Sequence, residues 1–401
     1  MKDSRTNTRR ATASHKRIAT KPRVPCIGLE AEFTLWINGE QKKPEDVFGN
    51  PRRIVRDEMI PRQGRSWHLP SGGALYFDTG VIEVATPIVE IGPGCAVRAV
   101  RSLWEQIAFV RSELNAWEQE KGVEARLVGF STHYNVSVPD GMQLSAATMH
   151  RIALLLTYVL HAPVMLLAAN RLSTGIGVRP REDRFEVTAD FTPDIDLMVA
   201  TAALVTGVIL AIAPWPHHGL DQLEREKLPV SDGLKPRKHT SRKGYLARFD
   251  CFPDNPFVAD PNEARWRVRD GRQMSLRQIA TLVARPFRRS ITAVSDAAAC
   301  KHVFAVLHGR ARSFLDFAER PSRYEDVGRN VEWGRRSHRQ LPRSNYERVI
   351  HRVITNHPIR IGKATYRPER MLDWYQIAFR NTRTGRRKVF TLDELAGCAV
   401  D

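Results

Sequence analysis

The segment from Cys26 to Ile37 alternates without a break, with Ile27, Leu29, Ala31, Phe33, Leu35 and Ile37 on one side and Gly28, Glu30, Glu32 and Thr34 on the other. Such period-two alternation describes a strand with one face in a core. The other face then carries two carboxylates aimed the same way. In a partly buried setting they repel each other and lose hydration, so they need a cation or a basic side chain between them. On a solvated outer face they need nothing, and the pair alone does not choose.

Further segments add to this face. Gly73 to Thr79 and Val81 to Pro87 read as strands joined by a short turn, with Tyr76 and Asp78 on a common face and Glu83 set among valine, isoleucine and alanine, ahead of Glu90. A plain hairpin with exposed acids has the same pattern. Arg126 to Val138 reads as a strand with Ser131, His133, Asn135 and Ser137 on one face and Phe130, Tyr134, Val136 and Val138 on the other. His133 by itself fits a hydrogen-bonded structural histidine as well as a ligand. Arg184 to Thr188 projects Arg184 and Glu186 together, just after Arg179, Arg181 and Glu182.

At these pieces, over roughly residues 24 to 216, the sequence resembles the glutamine synthetase superfamily of carboxylate-amine ligases. That superfamily includes the glutamate-cysteine ligases and the ligases and deamidases acting on the prokaryotic ubiquitin-like protein Pup. Glu30-Ala31-Glu32-Phe33 is similar to the family's first metal-binding strand, and Leu75-Tyr76-Phe77-Asp78 with Glu83-Val84-Ala85-Thr86-Pro87 is most similar to the Pup enzymes. There are departures: Thr34 stands where those enzymes usually have glycine, Ile82 replaces a proline, the interval from Asp78 to Glu83 is one residue shorter, and Glu90 is displaced.

The resemblance implies an α+β fold, a curved, largely antiparallel sheet flanked by helices, and dependence on ATP and two or more Mg2+ or Mn2+ ions. By it, Glu30, His133 and Glu186 hold one ion, while Glu32, Glu83 and Glu90 hold a second. Arg179 and Arg184 face the nucleotide phosphates, Asn135 and Ser137 line the nucleotide site, Asp78 is the base and Tyr76 orients substrate or base. Hard divalent ions take oxygen ligands, which ATP helps supply. The implied reaction turns a substrate carboxylate into an acyl phosphate, from which an amine displaces phosphate. The donor is an amino acid, a peptide or an acidic protein. Alternatives are a Pup-ligase-like protein conjugase or amidase on the same scaffold, and a non-catalytic nucleotide or nucleic-acid binder.

Outside these pieces, Ala96 to Gln119 and Thr148 to Ala169 read as helices, and the uncharged run from Met198 to Trp215 reads as a core helix rather than a membrane span. Residues 1–23 form a basic tail with no apolar stretch, residues 24–220 the catalytic domain, and residues 221–401 a basic, mostly helical region beginning in the polar run from Pro216 to Lys243. In that region Ser275 to Val283, Thr292 to Arg320 and Tyr346 to Asn356 carry helical patterns. Trp266 to Leu276 and Ala378 to Leu392 each sketch a basic hairpin leading to a capped helix, by Ser275 with Gln278 and Thr391 with Glu394. The 62 Lys and Arg against 44 Asp and Glu, a net charge of +18, favour an anionic partner without saying which. Five dispersed cysteines, including Cys398, fit reduced thiols in a cytoplasm. Oligomeric state is not legible at all.

Overall fold

The alternating segment forms β1 (Cys26–Ile37), and Ile27, Leu29, Ala31, Phe33 and Leu35 have no exposed surface. This computed structural model describes residues 21–62, 66–139, 142, 144–239, 244–329 and 342–397. The basic N-terminal segment up to residue 20, and Cys398, lie outside the described residues. β1 is the spine of a 12-stranded sheet, in which every pairing is antiparallel. The other strands are β2 (Glu40–Lys42), β3 (Ile60–Pro61), β4 (Trp67–His68), β5 (Ala74–Asp78), β6 (Val81–Ala85), β7 (Val89–Glu90), β8 (Ala125–Ser137), β9 (Gly175–Pro180), β10 (Arg184–Asp190), β11 (Arg237–Lys238) and β12 (Tyr245–Arg248). The order is β11-β12-β9-β10-β8-β1-β6-β5-β4-β3, with β2 and β7 also paired to β1.

Behind the apolar face lie α2 (Cys95–Lys121), α3 (Ala146–Ala168) and α4 (Ile195–Ile212), preceded by the short α1 (Pro44–Phe48). Their ends follow from local chemistry. Ser145 caps α3 by accepting from the Thr148 amide at 3.1 Å, Asp194 caps α4 by accepting from the Leu197 amide at 3.0 Å, and α2 stops at left-handed Gly122. The uncharged run is therefore a helix, starting three residues earlier than its composition suggests because the capping aspartate lies there. α3 and α4 are each long and apolar enough to cross a membrane, but 83% of that stretch in each is buried inside the structure.

The same core continues through residue 220. The polar run from Pro216 to Lys243, expected as a boundary or a long surface loop, contains α5 (Asp221–Arg225) and β11, and it buries Leu223, Leu228, Val230 and Leu234 with the sheet and helices. Apolar residues spaced through a polar stretch anchor it. Beyond it come β13 (Trp266–Arg267), β14 (Gln273–Met274), α6 (Leu276–Ala284), α7 (Arg288–Val294) and α8 (Ala297–Leu307). The expected helical stretch from Thr292 to Arg320 is broken, because Ser295 is extended and Asp296 starts a new helix by accepting from the Ala299 amide at 2.6 Å.

A second core gathers residues 346–395 with Cys26 and Ile60. It contains α9 (Asn345–Ile354), a four-stranded sheet of β15 (Ile359–Ile361), β16 (Ala364–Met371), β17 (Gln376–Asn381) and β18 (Arg387–Thr391), and α10 (Leu392–Gly397). The last part of the chain is thus as much strand as helix. Both hairpin-then-helix units form, with reciprocal caps between Ser275 and Gln278 and between Thr391 and Glu394. This C-terminal module reaches the polar side of the large sheet through its Leu372–Tyr375 turn.

Candidate active site

Register carries the polar row of β1 across the sheet. Glu30 pairs with His133 of β8, and Glu32 with Ser131 of β8 on one side and Glu83 of β6 on the other. Glu83 pairs in turn with Tyr76 of β5, while on the far side of β8 Asn135 pairs with Glu186, and Glu186 with Arg179 of β9. Directly opposed residues in antiparallel strands point the same way, so this row lies on one face. Phe130, expected among the core residues of its strand, is instead 56% exposed. It occupies a bulge where Glu32 pairs with Ser131 but Phe33 with Gly129, and the extra residue is turned outward while Ser131 stays on the site face.

The carboxylates form two overlapping groups. Ligand atoms of Glu30, Glu83 and His133 lie within 4.8 Å of one another, as do those of Glu32, Asp78 and Glu83. Glu83 belongs to both. Its burial, with the charges of Glu30, Glu32 and Asp78, pushes its carboxyl up to about 9, although Tyr76 donates its hydroxyl to Glu83 Oε1 at 2.5 Å and opposes the shift. Glu30 moves the other way: burial would raise it, but the hydrogen bond and charge of His133, with Arg184 and Arg62, hold it at about 2. His133 Nδ1 lies 3.3 Å from Glu30 Oε2, and Ser131 donates to Glu32 Oε2 at 2.6 Å. Two acids this close with carboxyls driven apart mark a site short of positive charge.

Other expected residues fall differently. Glu186, expected with Glu30 and His133 on one ion, is almost fully buried and receives both Arg179 and Arg181, the latter through Nε at 2.7 Å. Its Oε1 lies 3.6 Å from His133 Nδ1, at the edge of the group. Arg179, expected at the phosphates, is committed to Glu186 and lines neither cavity described below. Glu90 does not join the carboxylate groups, because β7 pairs it with Cys26 at the far end of β1, where its Oε1 accepts from the Tyr346 amide at 3.1 Å. Arg184 donates through Nε to Asn135 Oδ1 and through Nη1 to Asp183 Oδ1, each at 3.0 Å. The Ser137 hydroxyl accepts from the Cys26 amide at 2.7 Å.

Two adjoining cavities open on this row. One, of about 630 Å³, is lined by Leu29, Thr86, Ile88, Asn135, Ser137 and Tyr375 among others. The other, of about 560 Å³, is lined by Tyr76, Asp78, Glu83, His133, Arg181 and Glu186 among others. Glu30, Arg62, Arg184, Asp373 and Trp374 line both. The sequence pattern does not point to Arg62, Asp373 or Trp374. Asp373 is legible only as a turn-former, accepting from the Tyr375 and Gln376 amides at 2.6 Å, and nothing local to it points at strands some three hundred residues earlier.

The donor set, carboxylates with a single imidazole, suits a hard divalent ion, and the excess negative charge expressed in the raised Glu83 carboxyl is the kind that an ion relieves. Comparisons with known proteins bear on the fold. No protein-family model matches the chain, and no curated protein matches it. Among solved structures it is similar to a chain from "Crystal structure of the complex between Prokaryotic Ubiquitin-like Protein Pup and its Ligase PafA", with a TM-score of 0.52 and 12% identity, covering 94% of this chain and 92% of that one. Likeness at that identity speaks for the architecture, an α+β fold with a large antiparallel sheet flanked by helices.

Proposed function

We propose that this chain, which has the fold of that Pup-ligase structure, is an ATP- and magnesium-dependent carboxylate-amine ligase forming an amide or isopeptide bond. The observation that carries the reading is the convergence of two carboxylate groups on Glu83, beside a second cavity of nucleotide size that shares Arg184 with the first. Glu30, Glu83 and His133 would hold one magnesium or manganese ion, and Glu32 with Glu83 a second, beside Asp78. Bound there, the ions would neutralise charge on the transferring phosphoryl oxygens.

The chain's own groups have definable parts. Tyr76 orients Glu83 through its hydroxyl, and Ser131 does the same for Glu32. Asp78 is the half-exposed acid on the wall of the carboxylate-lined cavity, where its carboxylate would accept the proton that the attacking amine must lose. Arg184 would place its charge toward the nucleotide phosphates, with Asn135 and Ser137 on the wall behind it. The mixed lining of the larger cavity, with Ile88, Trp374 and Tyr375, suits a flat heteroaromatic base.

The test is release of ADP from ATP, screened over amino acids and amines with Mg2+ or Mn2+, in the wild type and Glu30→Ala. Metal-dependent release that falls about a hundredfold or more in the variant supports the ligase. A wild type that neither binds MgATP nor releases ADP under any pairing would falsify it. A second reading, a conjugase or amidase acting on protein, is favoured by the similar structure, a ligase in complex with the ubiquitin-like protein Pup, and by the net charge of +18. It is separated from the first by a mass change on a protein acceptor that small amines do not reproduce.

A further inference from the structure

The two cavities differ in character and meet along a short wall. The larger is partly apolar, the smaller is lined with acids, and the residues common to both are Glu30, Arg62, Arg184, Asp373 and Trp374. Two of these are cations. Arg184 is already engaged by Asn135 and Asp183, at 3.0 Å each. Arg62 forms no ion pair among the described residues. Its guanidinium carbon instead lies 4.3 Å from the centroid of the Trp374 ring. His68 meets that ring edge-on, with centroids 4.9 Å apart, and is itself fully buried. The tryptophan ring thus contacts both a buried imidazole and a guanidinium. Burial depresses Arg62 below the ordinary arginine range, an effect that the carboxylates of Glu30 and Asp373 partly offset and nearby Arg184 adds to.

A half-buried guanidinium set over an aromatic ring and free of ion pairs among the described residues keeps N–H groups for a planar or tetrahedral oxyanion, the geometry that suits arginine to phosphate. A ligand with a flat base in one cavity and an anionic tail reaching the other must pass Arg62. Resting on the ligase reading above, we propose that Arg62 binds the polyphosphate of the nucleotide where the two cavities join, and that Trp374 positions its guanidinium there by stacking. This makes Arg62, on the connection after β3, a phosphate ligand in the place that the buried, Glu186-bound Arg179 does not fill.

The experiment is calorimetric titration of ATP, ADP and adenosine, each with Mg2+, into the wild type, Arg62→Ala and Arg62→Lys, with thermal unfolding to confirm that both variants fold. The expected result is a loss of about tenfold to a hundredfold in ATP affinity for Arg62→Ala, with adenosine affinity within about twofold of the wild type. Arg62→Lys should fall between, because it keeps the charge and loses the planar fork. Unchanged ATP affinity in Arg62→Ala overturns the proposal, as does an equal loss for ATP and adenosine, which would make Arg62 a wall of the base pocket only. A wild type that binds none of the nucleotides refutes the ligase reading itself, and that outcome is recognisable before any variant is made.

Discussion

Glu83 is the residue on which the site turns. Two acid groups share it, and its carboxyl is pushed up to about 9 by burial and by Glu30 beside it. At about pH 7.5 the free protein therefore carries a proton on Glu83, and a divalent ion must displace it. Binding of Mn2+ or Mg2+ should release about one proton per chain near that pH. Affinity should rise as pH increases toward about 9 and level off above it, where the proton is already gone. Calorimetry in two buffers of different ionisation enthalpy reads the proton directly. In Glu83→Gln the release should vanish, and a wild-type heat independent of buffer would show that Glu83 is not protonated in the free protein.

Among elements, the junction between α2 and α9 is the most exacting. Arg98 of α2 donates through Nε to Glu347 of α9 at 2.8 Å and through Nη2 to Glu105 at 3.1 Å, and both Arg98 and Glu347 are buried. Asp393 of α10 ties the module elsewhere, accepting from the Arg23 amide ahead of β1 at 3.1 Å and, within the module, from the Tyr375 hydroxyl at 2.5 Å and the Tyr346 hydroxyl. Removing one partner of a buried pair leaves the other charge uncompensated. Glu347→Ala should cost about 3 kcal/mol, toward the lower end for such pairs because Arg98 keeps Glu105. Amide exchange should show residues 345–397 opening more often while the strands of the large sheet keep their protection; equal loosening of both would refute the module as a separate opening unit. Gly207 of α4 tests helix packing, since a Cβ there would lie 2.6 Å from the backbone nitrogen of Ile291 in α7. Gly207→Ala should lower stability by about 1–3 kcal/mol, read from a urea midpoint, and an unchanged midpoint would mean that α7 yields freely.

For the whole molecule the governing quantity is the net charge of +18. Surface charge steers association and is screened beyond about 10 Å at 0.1 M salt. If the substrate is an acidic polypeptide, its affinity should fall about tenfold or more between about 0.05 and 0.5 M salt, with nucleotide binding in the two cavities changing much less. Fluorescence anisotropy of an acidic peptide and of a labelled nucleotide, run side by side, makes the comparison. Equal salt sensitivity would remove the case for an extended acidic partner.

Legibility followed the range of the interactions. Period-two alternation is a local property, so the buried row of β1 and its facing acids, the polar row of β8, and the caps of α6 and α10 could be read directly from the residues. The α+β character and the antiparallel sheet were expected from the resemblance, and the structure has both. Local reasoning failed where a distant contact overrode it: the bulge at Phe130, the helix break at Ser295, and the burial of Leu223, Leu228, Val230 and Leu234 inside a run that looks like a linker. By itself the sequence determined which side chains share a face, because the pleat of a strand alternates whatever lies beside it. Only the tertiary structure decided which of those side chains meet, engaging Glu186 with two arginines, turning Glu90 toward α9, and bringing Arg62 and Trp374 together over the acids. The first of these meetings depends on the register of the β9–β10 hairpin, and the other two on docking between segments hundreds of residues apart, which no local pattern encodes.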